Sequence, residues 1–234
     1  MRPTVLLFDI DGTLVSGAGV GRRALERAFA ARYGSTAVLR GVRFDGMTDR
    51  GIVRLGLAAL GEPAEGPAVE AVMDAILAAY VPLLEEEIGQ TADFGLHRGA
   101  REVLAAVTSR PSVAVGLGTG NIREGARAKL MPLGVFHHFA FGGFGSDHEQ
   151  RPEIVRIGAE RGAARLGHPR SACRVVVIGD TPRDVEAARA IGAEAVGIGS
   201  ARFSCEELVA SGAASAFADL AAPGVLPALL GDPG

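Results

Sequence analysis

The run Val5-Leu6-Leu7-Phe8-Asp9-Ile10-Asp11-Gly12-Thr13 constrains this chain more than any other segment. An apolar stretch of this length, ending in turn chemistry, predicts a buried strand of a parallel sheet. Carboxylates buried at its end are costly unless something pairs with them. In an extended chain Asp9 and Asp11 point to one side and Ile10 to the other. Open α/β sheets place their sites at the carboxyl ends of parallel strands. Two acids aimed into one pocket suit a divalent cation, or a nucleophile beside an acid–base group. A solvated Asp-Gly turn is the plainer alternative. The apolar lead-in and Thr13 favour a site.

Two patterns follow. Gly17-Ala18-Gly19 breaks the chain, and helical periodicity then runs over 20–33, 51–60 and 68–84 with no convincing strand. From about Gly99 helix and strand alternate. Helices are expected over 100–108, 123–131, 153–165 and 183–191, and strands over 113–117, 139–141, 174–178 and 195–198. Such alternation implies a parallel sheet with helices on both faces, and hence an α/β, Rossmann-like core. The first strand joins that sheet, so the intervening helices read as an insertion. Residues 213–234 read as a peripheral strand and helix, frayed at the Gly-Asp-Pro-Gly end.

The 234 residues are 48% apolar and 22% charged, enough for a real core. A net charge of −3 gives no basic footprint for nucleic acid. Cys173 and Cys205 are far apart without metal-type spacing, which points to a reducing compartment. There is no signal-peptide pattern and no uninterrupted apolar span of membrane length, so a cytoplasmic location without membrane contact is expected. Lys129 is the single lysine. That limits which residues can serve as cationic ligands.

Three further segments end in polar chemistry. Val113 to Asn121 closes on Gly118-Thr119-Gly120-Asn121 ahead of a helix, where backbone N–H groups suit an anion; simple capping by Thr119 or Asn121 competes. Val175 to Asp184 places Asp180 and Asp184 after another strand, with Pro182 fitting the first helical turn and Asp180 or Thr181 as a cap. A cap explains one acid, but not four acids at two strand ends. Arg151, in Asp147-His148-Glu149-Gln150-Arg151-Pro152, is a candidate cation for a nucleophile and phosphate, against an exposed helix-start arginine.

Together these segments resemble the haloacid dehalogenase superfamily, in particular its phosphatases with a helical cap, of the phosphoglycolate phosphatase type. Asp9-Ile10-Asp11-Gly12-Thr13 is similar to the first motif, D-x-D-G-T, and Gly118-Thr119-Gly120-Asn121 to the second. Gly179-Asp180-Thr181-Pro182-Arg183-Asp184 is similar to the fourth, G-D-x-x-x-D, and Gly46-Met47-Thr48-Asp49 to a short G-x-T-D segment of the cap. Two departures stand out. The third motif carries Arg151-Pro152 where lysine and proline are usual, and His97-Arg98-Gly99 lacks the proline of many relatives.

The resemblance implies a catalytic core of residues 1–16 and 91–234 and a helical cap of residues 17–90. It implies magnesium-dependent hydrolysis of a small phosphorylated metabolite, by a monomer or homodimer. Asp9 would be the nucleophile and Asp11 the acid and base. Thr119, Gly120 and Arg151 would hold the phosphate, while Asp9, Asp11 and Asp180 would bind the metal with Asp184 in support. Thr48, Asp49 and Arg50 are candidates for cap specificity, although each suits a solvated helix position. Lys129 lies in the helix after the second motif, where relatives place no catalytic lysine, so its removal is expected to be mild. A dehalogenase would lack the second acid, and a phosphonate hydrolase needs a cap lysine, which residues 17–90 do not contain. A phosphohexose mutase shares the motifs, and a silent binding module of the same fold should have lost Asp9, Asp11 or Asp180.

Overall fold

The computed structural model describes residues 2–63 and 65–231. Its centre is a parallel sheet of six strands in the order β5-β4-β1-β6-β7-β8. These are β1 (Thr4–Phe8), β4 (Val113–Thr119), β5 (Phe141–Phe144), β6 (Arg174–Gly179), β7 (Glu194–Ile198) and β8 (Ser215–Phe217). The side-chain period of two assigns the β1 residues to opposite faces. Leu6, Phe8 and Ile10 pack with Val103, Leu104 and Leu130 of α4 (Ala100–Thr108) and α5 (Arg123–Leu130). Val5 and Leu7 pack on the other face with Val155, Ala159 and Val185 of α6 (Arg151–Arg165) and α7 (Pro182–Ala190). The sheet is thus buried on both faces, as its near-continuous apolar strands require.

Between β1 and β4 the chain leaves the core through a two-stranded antiparallel ribbon, β2 (Val15–Ser16) with β3 (Gly95–Leu96). The excursion forms a helical cap of α1 (Val20–Tyr33), α2 (Asp49–Ala59) and α3 (Pro67–Gln90). Its own core gathers Leu25, Phe29, Leu57, Met73, Ile76 and Tyr80, each worth about 1.5–3 kcal/mol when buried. By length and composition α3 would suffice to cross a membrane. Here its Met73–Ile88 side lies in the cap core. It continues past residue 84, where periodicity suggested an end, because Arg23 and Arg27 of α1 pair with Glu86 and Glu87. Those pairs offset the cost of acids at a helix C-terminus.

The strand expected at 139–141 lies instead at Phe141–Phe144. Its two glycines hide it from propensity, yet they admit α6: a Cβ on Gly143 would sit 1.9 Å from the Ile154 carbonyl oxygen. The ribbon, with two residues a side, is too short for any periodicity. The six-residue α8 (Cys205–Ala210) lies outside the expected helices, although Ser204 and Glu207 form a capping box. At the C-terminus β8 and α9 (Val225–Leu230) are present, while the frayed end expected at 232–234 lies outside the described residues.

Candidate active site

The strand order explains why distant motifs meet. β1 lies between β4 and β6, with Phe8 opposite both Leu117 and Ile178. The loops after these strands therefore open at one edge, where the chain has stepped to both sides of β1. The Asp9 N–H bonds the Ile178 carbonyl at 2.8 Å, extending the ladder just far enough to fix the nucleophile candidate. Gly12 then turns the chain with φ of 80°. A side chain there would collide with Asp180, since a Cβ would lie 2.2 Å from Asp180 Oδ2. Glycine is needed for both conformation and space.

Two buried cations divide the acids between them. Arg151, the first residue of α6, places Nη2 2.8 Å from Asp9 Oδ2 and 2.5 Å from Asp184 Oδ1. Its Nη1 reaches the Gly46 carbonyl of the cap at 3.5 Å. Asp184 Oδ2 accepts bonds from Thr181 N and Oγ1 at 3.1 and 2.7 Å, so Thr181 rather than Asp180 caps α7. On the other side, Lys129 Nζ lies 2.8 and 2.6 Å from Asp11 Oδ1 and Oδ2, and 2.7 Å from Asn121 Oδ1. Asn121 Nδ2 bridges Asp11 Oδ2 and Thr119 Oγ1 at 2.8 and 2.9 Å. Lys129, which the motifs leave outside the catalytic positions, is thus buried against Asp11.

Asp180 is less well compensated, since a Ser200 hydrogen bond and the Arg151 charge offset only part of its burial. Its Oδ1 is buried without a hydrogen-bond partner among the described residues, and Asp9, Asp180 and Asp184 each offer a carboxylate oxygen within 4.8 Å of the others. Burial, then the charges of Asp184 and Asp9, push Asp180 up to about 8. Burial likewise lifts Asp9 to about 6, with Arg151 opposing and Asp184 and Asp11 adding to the rise. Asp11 moves the other way. Desolvation would raise it, but the Lys129 charge and the bonds from Asn121 and Lys129 hold it below the usual carboxylate value. Burial is the largest single influence, and only the Lys129 and Arg151 charges together with those bonds outweigh it. Three acids against one guanidinium leave a residual negative charge lined with hard oxygens, which is what a divalent cation such as magnesium takes.

The cap docks over this edge. Asp49 N donates to the Gly120 carbonyl at 2.9 Å, and Asp49 Oδ2 accepts the Ile122 N–H at 2.8 Å. A cap carboxylate thus holds the residue just before α5, which has no side-chain cap of its own from Thr119 or Asn121. Burial pushes Asp49 up to about 6 against the Lys129 charge. Thr48 caps α2, accepting from Gly51 N at 3.0 Å, and donates to the Glu149 carbonyl at 3.3 Å. Arg50 pairs with Glu70 and, at 2.6 Å, with Asp74. Arg54 holds the Glu149 carboxylate of the core through Nε and Nη2 at 2.9 and 2.5 Å.

A family model described as haloacid dehalogenase-like hydrolase matches residues 3–192. The chain belongs to that family. Among solved structures it is similar in fold to a hydrolase from Pseudomonas syringae, with 21% identity over 93% of this chain and 94% of that one and a TM-score of 0.66. It is also similar to CbbY from Rhodobacter sphaeroides in complex with phosphate, with 19% identity, 98% and 99% coverage and a TM-score of 0.70. A mutant of CbbY in complex with xylulose-(1,5)bisphosphate gives a TM-score of 0.69 at 19% identity, again with 98% and 99% coverage. Among curated proteins none matches the sequence. In this haloacid dehalogenase-like chain two residues of the site, Asn121 and Lys129, carry no motif role. By sequence Asn121 suits a helix cap, and Lys129 lies in the helix after the second motif, where relatives place no catalytic lysine. The available signal was the chain's single lysine set among the small residues Gly125, Ala126 and Ala128.

Proposed function

We propose that this chain is a magnesium-dependent phosphatase acting on small phosphate monoesters through an aspartyl-phosphate on Asp9, of the phosphoglycolate or sugar-phosphate type. The observation carrying this reading is Asp9 itself. It is buried at the end of the central strand, ion-paired to Arg151 and within 4.8 Å of Asp180, whose Oδ1 is unpartnered. The CbbY complexes with phosphate and a sugar bisphosphate support the substrate class.

In the first step an Asp9 oxygen attacks phosphorus; Asp11, which Lys129 holds ionised in the free chain, takes up a proton as the ester binds and passes it to the leaving oxygen. In the second, Asp11 takes a proton from water as that water attacks the acyl phosphate, and Asp9 is regenerated. Thr119 Oγ1 already accepts bonds from Asn121 N and Nδ2, so its own hydrogen is free to donate to a phosphoryl oxygen. The Gly120 N–H and the Arg151 guanidinium would supply further donors. Magnesium, held by the carboxylates of Asp9 and Asp180 and the Asp11 carbonyl with Asp184 alongside, would supply charge neutralisation at the phosphoryl oxygens.

Phosphate release with magnesium, measured across phosphoglycolate, sugar phosphates, nucleotides and pyrophosphate, tests this reading. At least one ester should turn over well above p-nitrophenyl phosphate. Substitution of Thr48, Asp49 or Arg50 should reorder the natural esters while changing p-nitrophenyl phosphate much less, because that leaving group needs little from the cap. No turnover of any ester, or conversion of a sugar phosphate to its isomer only when a bisphosphate is added, would displace the proposal.

Arg151 gives a second check. Losing a charge-assisted contact in a site closed to water costs roughly 2–5 kcal/mol, or on the order of tens to thousands in rate. Arg151→Ala should lose that much turnover and also stability, since it leaves Asp9 and Asp184 buried without their cation. Arg151→Lys should recover part of both, because an ammonium satisfies one carboxylate well but cannot fork between two. Equal rates for Arg151→Ala and the parent would remove Arg151 from the site.

A further inference from the structure

Lys129 is placed where lysines seldom are. Its side chain is 4% exposed, and it sits on α5 beneath the docked cap. A side chain added at Gly21 of α1 would come within 3.6 Å of both Lys129 Nζ and Tyr80 Oη. An ammonium taken from water costs several kcal/mol unless its donors are matched. Here they are: two oxygens of Asp11 and one of Asn121 lie within 2.8 Å. The Asp11 carboxylate is consequently gripped at both oxygens, and Asn121 Nδ2 adds a further bond to Oδ2 at 2.8 Å. Left alone, a carboxylate with 45% of its side chain exposed would sample several rotamers. The Asp9 carboxylate is served by Arg151 instead.

We propose that Lys129 is the positioning residue for Asp11: with Asn121 as a brace, it fixes the Asp11 carboxylate for the water step that frees Asp9. This rests on the phosphatase reading above. In that step the water oxygen bonds to phosphorus and the phosphorus–oxygen bond to Asp9 breaks. Hydrogen phosphate leaves with one hydrogen of the water, and the other passes to Asp11. A misplaced Asp11 slows this step for every substrate. It slows the first step only for esters whose leaving oxygen needs a proton. Removing Lys129 should therefore stall the enzyme as phospho-Asp9 when the leaving group is p-nitrophenolate.

Rapid mixing of the magnesium-loaded full chain with p-nitrophenyl phosphate reads this directly. Lys129→Met should release about one p-nitrophenolate per chain in a burst, then turn over at least about tenfold more slowly than the parent. That loss is a fraction of the 10²–10⁴-fold that a placed base supplies. Acid-quenched samples should carry phosphate on Asp9. Asn121→Ala, which removes no charge and so folds more readily, should show the same accumulation to a smaller degree, and Lys129→Arg should restore part of the rate. In an Asp11→Asn background, Lys129→Met should change turnover by less than about twofold, because the residue acts through Asp11. A slow variant with no phospho-Asp9, or an equal fold-loss with and without Asp11, would overturn the inference while leaving the phosphatase reading intact. A parent chain that never forms phospho-Asp9 overturns both.

Discussion

Asp9→Asn protein should fold as the parent does and release no phosphate from any ester. The substitution keeps shape and volume at a buried position, and it removes one of the acids crowding Asp184 and Asp11. Arg151 keeps Asp184 as a partner, so the melting temperature should fall little or rise. Activity is another matter, because an amide oxygen is a poor nucleophile and forms no phospho-enzyme that water can reopen. Loss of a nucleophile from an enzyme that works through a covalent intermediate costs on the order of 10⁴-fold or more. Mass spectrometry of the parent, quenched during turnover, should find the phosphate on Asp9. Phosphate on another side chain, or residual turnover by Asp9→Asn close to that of the parent, would refute the assignment.

That prediction could be written from the sequence, and the reason is physical. Asp9 follows five buried residues of β1, and an apolar run with acids at its end leaves few structures open to it. The same logic made Asp180 and Arg151 legible, because each sits where a strand or a helix turns over in chain order. What the sequence did not carry is pairing across the fold. Lys129 and Asp11 are separated by 118 positions, and Asp49 bonds the N–H of Ile122, 73 positions later. Neither pairing leaves a local periodicity. Both depend on how the cap lies over the sheet, a tertiary outcome that decides which polar groups lose water. The expectation for the cap residues met the same limit. Thr48, Asp49 and Arg50 suit either cap specificity or solvated helix positions by sequence, and the first two are buried in bonds that join cap to core.

Removing the divalent cation should stop catalysis, and it should also change how stability responds to pH. Without a cation, burial and the neighbouring acids push Asp180 up to about 8 and Asp9 to about 6, whereas unfolded carboxylates titrate near 4. The folded chain then holds more protons than the unfolded one between about pH 4 and 8. Stability gained from these groups is fully present below pH 4 and is lost as pH climbs through that window. One such group changes stability by at most about 1.4 kcal/mol per pH unit. In chelator the melting temperature should therefore fall from pH 6 to pH 8. Added magnesium should raise it, and raise it more at pH 8, because at pH 6 the ion must first displace a proton from Asp180. Asp180→Asn should abolish both the magnesium effect and turnover at ordinary magnesium, yet leave the chelated protein more stable than the parent at pH 8. Thermal melts at the two pH values, with magnesium or chelator, separate these outcomes. A melting temperature that rises with pH in chelator would contradict the charge balance derived for the three aspartates, and undiminished activity after complete metal removal would contradict the metal requirement.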